Sequence, residues 1–247
     1  MKAGQLSLAA EWLLDNNYIA AQSLSQVQQD LPPAFERQLP RLDTGQLRVY
    51  ELSSRIIRIE QALLDPGRVN SFVAADQEVL PLTMGVLWAL PAMLRLGILE
   101  CLVAATARIT QLPLEGIEEA VAAAAPAGEI GDQFVVENSI RSLRALAVQD
   151  WMRFFESLSL VESHLRQDPA RLYTGMDFET RDRYRKAVEE IAASGQGDEV
   201  VVAQIAVGLA RARAGQFLQL SAPAPSGSAL PDGGVDPVGP PPGWARP

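Results

Sequence analysis

Apolar positions recur at three- and four-residue intervals along most of this chain, the spacing that gathers them on one face of an α-helix. Leu6, Ala9, Leu13, Ala20, Leu24, Val27 and Leu31 form one such stripe, interrupted by the polar Asn16. They predict a first helix that ends at Pro32-Pro33, since proline cannot comfortably continue a helix. Val49, Leu52, Ile56, Ile59 and Leu63 predict a second helix, closed by the turn chemistry of Asp65-Pro66-Gly67. A third is predicted over 68–79, ahead of Pro81. The stretch 82–110 is long and apolar and predicts a buried helix, kinked or split at Pro91. Pro113 suits the first turn of another helix, with Glu115, Glu118 and Glu119 near its positive end. The alanine run 122–125 supports that helix, and Pro126 and Gly128 stop it.

The most regular stripe is Ile140, Leu143, Ala147, Trp151, Phe154, Leu158, Val161 and Leu165. It predicts one uninterrupted helix of roughly eight turns, ending at Asp168-Pro169. Asp177 or Thr180 can cap the next helix, on which Glu179–Arg183, Asp182–Lys186 and Arg185–Glu189 read as i,i+4 pairs on a solvated face. Gly195 and Gly197 break it, and a last helix over 198–214 carries Val201, Ile205 and Leu209. From Ser221 the chain has eight prolines and five glycines in 27 residues, a composition that buries too little apolar surface to offset ordering. Within it, GPPPGW reads as an inert segment, or as a polyproline ligand for an aromatic groove. No β pattern is evident. The expected fold is all-α: an array of long amphipathic helices over 1–217, with a sub-boundary near 126–132, and a disordered Pro/Gly-rich tail over 218–247.

Composition narrows the chemistry. The chain has 247 residues, 48% of them hydrophobic, enough for one sizeable core or two small ones. A formal net charge of −9 argues against a nucleic-acid partner, which needs clustered Lys and Arg. The single cysteine, Cys101, lies in an apolar run and reads as a buried, inert thiol. The single histidine, His164, has no nucleophile motif around it and reads as a surface or half-buried side chain. One His and one Cys argue against the usual zinc site, and no cofactor is expected.

The N-terminus lacks the long apolar region and small-residue cleavage site of a signal peptide. Residues 82–102 are the one transmembrane candidate, but Pro91, Arg95 and Glu100 fit a soluble core helix better, with membrane contact as the second reading. A cytoplasmic chain is expected. No GxGxxG, GxxxxGK[ST], GxSxG or HExxH occurs, nor a strand-borne acidic motif of the kind that binds a metal–diphosphate. No catalytic residue is expected. Arg141, Arg144, Asp150, Trp151, Glu156, Arg181, Asp182 and Arg183 are the candidate interaction residues, charges flanking an aromatic-rich seam that could fix helix register. Ordinary surface charge is the competing reading.

Several strings are more idiosyncratic than helix formation requires. DWMRFFE and MDFETRDRYR lie within residues 137–185, EWLLDNNYIAAQSLSQVQQDLPPAFERQLPRL spans 11–42, and FVAADQEVLPLTMGVLWALPAMLRLGILECL spans 72–102. Together they resemble, in order, the N-terminal region of bacterial cyclic β-1,2-glucan synthases, over most of residues 8–215. The resemblance implies an origin in a large inner-membrane glucosyltransferase that polymerises and cyclises glucose from UDP-glucose. It implies a portion that precedes the membrane-spanning and transferase regions, with no catalytic residue to carry over. The family block usually has an acid where this chain has Val86, and the likeness fades near Gly215, so a truncated or out-of-frame chain is expected. The partners implied are the remaining regions of such a synthase, in the same polypeptide or in trans. A freestanding regulatory or interaction module is the alternative. A glucan-binding module is the third, with Arg144, Asp150, Arg153 and Glu156 lining a groove near Trp151.

Overall fold

The computed structural model describes residues 8–111, 131–195 and 197–220. Helix α1 (Leu8–Asp30) stops ahead of Pro32, and Pro33 then opens a single-turn α2 (Pro33–Glu36). A turn pinned by an isolated antiparallel bridge between Arg41 and Leu47 leads into α3 (Arg48–Ile59). That helix ends earlier than its apolar spacing predicts, because Gln61 and Ala62 adopt left-handed backbone (φ 52° and 59°). Asp65-Pro66-Gly67 therefore does not close α3. It opens α4 (Pro66–Val79), whose Asp65 carboxylate accepts the Arg68 N–H at 2.9 Å.

Helix α5 (Met84–Thr110) is capped by Thr83 and runs through Pro91 as one helix, so of the kink or split expected there the split does not occur. It is the axis of the molecule, with α1, α3 and α6 (Asp132–Val148) packed around it. Gly97 lets α3 come close: a Cβ there would lie 2.5 Å from Ile57 Cδ1. By length and composition α5 could cross a membrane, yet 72% of its most apolar window is buried inside the protein. Its ionisable residues are partnered internally. Buried Arg95 lies 3.6 Å from Asp30, donates to the Leu146 carbonyl at 3.2 Å and sits over the Trp151 ring. Glu100 accepts the Tyr50 hydroxyl at 2.8 Å. Cys101 is buried among apolar side chains, which push its thiol up to about 12. Val86 is also fully buried, as an apolar residue should be.

The expected eight-turn helix is three helices. After α6 the chain breaks at Gln149 and Asp150, continues as α7 (Trp151–Leu158), breaks at Ser159, and resumes as α8 (Leu160–Leu165). Side chains cap both restarts: Asp150 accepts the Arg153 N–H at 3.0 Å and Ser159 accepts the Glu162 N–H at 3.2 Å. A 3-10 turn (Tyr173–Gly175) precedes α9 (Phe178–Gly195), and α10 (Glu199–Leu220) packs on α8 and α9.

Two stripes face elsewhere than their spacing suggested. On α1 the buried face holds Asn16, Ile19, Ser23 and Val27, while Leu24 is exposed. On α10 Ala203 and Val207 point inward, and Val201, Ile205 and Leu209 point to solvent. The helix expected over 113–125 and the tail from 221 lie outside the described residues.

Candidate functional site

The densest polar chemistry lies where α7 and α8 meet α9. Glu162 is fully buried and holds four groups, the first three by accepting hydrogen bonds and the fourth as an ion pair. These are Arg185 Nη1 at 2.8 Å, Arg166 Nε at 2.8 Å, the Tyr173 hydroxyl at 2.6 Å and, more distantly, Arg181 Nε at 3.4 Å. Glu156 takes Arg181 at 2.6 Å, Arg166 at 3.0 Å and Arg185 at 3.4 Å. Asp182 holds the other edge of Arg185 at 3.3 Å and Lys186 at 2.8 Å. Arg181 also donates to the Met176 carbonyl, tying the turn before α9 to the same cluster.

Break geometry explains why these groups converge. Six residues along a continuous α-helix point side chains about 120° apart. The non-helical Ser159 (ψ 116°) redirects the chain, so Glu156 and Glu162 face the same three arginines. On α9, Arg181 and Arg185 are four apart and share a face.

Aromatic rings seal the cluster. The Arg185 guanidinium lies 5.3 Å from the Phe155 ring centre and 4.7 Å from that of Phe178. Trp88 of α5 stacks on Phe155 at 4.3 Å and meets Phe178 edge-on at 6.3 Å. Burial pushes the Tyr173 phenol upward, and its bond to Glu162 adds to the shift. Arg185 is held more firmly charged than usual: burial opposes this, but Glu162 and its neighbours outweigh it.

Such an arrangement is suited to holding helices together. The Glu162 carboxylate is taken up by its partners and is out of reach of solvent. No group of three or more His, Cys, Asp or Glu side chains suited to a metal occurs among the described residues.

Of the sequence candidates, the structure brings Glu156, Arg181 and Asp182 together here. Arg183 is an exposed side chain on α9. Arg141 makes a surface i,i+4 pair with Glu137 at 2.5 Å, and Arg144 donates to Asn16 at 2.5 Å, joining α6 to α1. Asp150 is the α7 cap. Trp151 donates its indole N–H to the Leu146 carbonyl at 3.1 Å and lies under Arg95, while Phe154 and Phe155 are buried. Among the described residues the aromatic rings around Trp151 are therefore packed inward. Met93 and Leu94 of α5 are buried as well.

Sequence reasoning missed Glu162, Arg185, Arg166 and Tyr173. Arg185 was read as partner to Glu189 on a solvated face; it is 1% exposed and pairs with Glu162. His164 is half-buried, as expected, and its Nε2 lies 3.2 Å from the Gln204 amide.

Fold and site define an all-helical domain with an internal Arg–carboxylate–aromatic lock and no exposed catalytic constellation among the described residues. The chain is similar to the cyclic beta-(1,2)-glucan synthase NdvB of Rhizobium meliloti (strain 1021), at 26% identity over 269 aligned positions. The match covers 81% of this chain and 9% of that protein, so the chain spans less than a tenth of the curated relative's length. It agrees with the resemblance carried by the sequence motifs. No family model and no solved structure matches.

Proposed function

We propose that this chain is a non-catalytic helical scaffold region of a glucan-synthesising enzyme, acting by packing against the remaining regions of that enzyme. The supporting observation is the outer face of α10. Val201, Ile205 and Leu209 are 48%, 57% and 68% exposed on a helix whose opposite face is already buried. An apolar stripe left uncovered on a folded domain marks a contact surface. Its occupant on this reading is the rest of the synthase, because the chain aligns with only 9% of the relative's length. The internal lock supports the reading too: its charges bind one another and hold α7–α8 against α9, which rigidifies a platform. On the scaffold reading the region lies in the cytoplasm.

Segment replacement tests this. In the Rhizobium meliloti synthase, deletion of the aligned segment should abolish cyclic glucan production from UDP-glucose, and insertion of this chain in its place should restore part of it. Glucan output unaffected by the deletion would rule the scaffold reading out.

A further inference from the structure

Two adjoining cavities of about 820 and 430 Å³ lie between the α2 segment, the first turns of α5 and α9. They share Phe35, Gln38, Gly85, Lys186 and Glu189, so they form one cleft, of the size that small-ligand sites occupy. Trp88 forms part of its wall. This indole is fixed from behind by Phe155 and from the side by Phe178, yet it stays 37% exposed. Gly85, one turn before Trp88, keeps the floor bare: a Cβ there would already touch Leu39 at 3.6 Å and Phe35 at 3.9 Å.

The polar groups around these rings are mixed. Gln38 offers an amide with no side-chain hydrogen bond among the described residues. Glu189 is half-buried, makes no ion pair within 4.0 Å among them, and burial holds its carboxyl above the usual range. Lys186 stands beside it, paired with Asp182 at 2.8 Å. A phosphate or nucleotide would be repelled by the carboxylates, which outnumber the lining cations Arg185 and Lys186, both already held by Asp182. A cationic ligand would face Lys186. A neutral polyhydroxylated ligand satisfies both signs, since each hydroxyl donates and accepts, and its C–H faces pack on an immobilised indole.

We infer that this cleft binds a neutral glucose-based oligosaccharide, with Trp88 as the stacking platform and Gln38, Lys186 and Glu189 as its hydrogen-bonding rim. The choice of glucose rests on the glucan-synthase reading above; the polyol chemistry does not. The domain would then hold a stretch of glucan chain without reacting on it.

Titration calorimetry and tryptophan fluorescence on the whole chain test this, with sophorose and longer linear β-1,2-linked gluco-oligosaccharides as probes and the β-1,4-linked series beside them. Saturable binding at millimolar affinity or tighter is expected. Gly85→Leu, which fills the floor, should weaken it about tenfold or more, as should Gln38→Ala, which removes an exposed side chain and leaves the fold intact. No heat and no fluorescence change with either series overturns the proposal. So does binding that both substitutions leave unchanged, or binding of choline or inorganic phosphate in preference to the sugars. Because no synthase is present in this assay, the two readings fail separately. Heats without rescue in the replacement experiment defeat the scaffold alone, and rescue without heats defeats the cleft alone.

Discussion

Glu162 gathers three arginines and a tyrosine at a point that water does not reach. Removing one member of a buried ionic group leaves the others charged and short of a partner, which costs about 3–5 kcal/mol. Glu162→Ala should therefore lose about that much in urea unfolding, and Arg185→Met a similar amount. The double variant should lose less than the sum of the two, because neither residue then leaves the other stranded. Additive losses would show that the pair is not coupled.

Glu100 supplies a pH test. Burial raises its carboxyl, and the bond from Tyr50 only partly opposes this. Folding therefore favours the protonated acid, so the native state binds more protons than the unfolded one as pH rises above the ordinary glutamate value. Stability of the native protein relative to Glu100→Gln should fall over that range. Thermal midpoints of the two proteins from mildly acidic to neutral pH check it, and a constant difference would contradict it.

Part of this residue chemistry was legible. Glu156, Arg181 and Asp182 stood out because charges flanked an aromatic seam. Glu162 and Arg185 did not, because a continuous helix puts Glu162 about 120° from Glu156 and offers Arg185 a nearer partner in Glu189. Only the backbone break at Ser159 brings them together.

At the scale of elements, that break is written in capping side chains that periodicity overrides. Apolar spacing continues across Asp150 and Ser159 because α6, α7 and α8 each bury an apolar face, and spacing alone does not report continuity. Ser159→Ala should cost about 1 kcal/mol by removing the α8 cap, with a larger loss of near-ultraviolet than of far-ultraviolet circular dichroism signal as the lock loosens. Equal loss of both, or no loss, would argue against a cap that sets the lock. Helix contact has its own signature at Gly97, where α3 and α5 approach. Gly97→Ala should destabilise by about 1–3 kcal/mol despite alanine's better helix propensity, since the added methyl meets buried Ile57. A stabilised variant would mean that Ile57 can move aside freely.

The all-helical class was readable because no segment alternates with period two and the three/four spacing recurs throughout. The facing of α1 and α10 was not. A helix with apolar residues on two sides has no unique inward face, and on α10 the small Ala203 and Val207 win because α8 and α9 pack close against them.

For the whole molecule, the account turns on one surface. The chain has a net charge of −9, and yet α10 presents an uncharged apolar stripe outward. A scaffold needs such a face, and a self-contained module does not. The most direct measurement is co-purification of this chain with a Rhizobium meliloti synthase lacking the aligned segment, comparing the native chain with an Ile205→Asp, Leu209→Asp variant whose fold is verified by circular dichroism. The scaffold account predicts that the native chain is retained and that the variant is retained at a tenth of that level or less, roughly the effect of losing one apolar contact centre. Equal retention of both, or retention of neither, would contradict it.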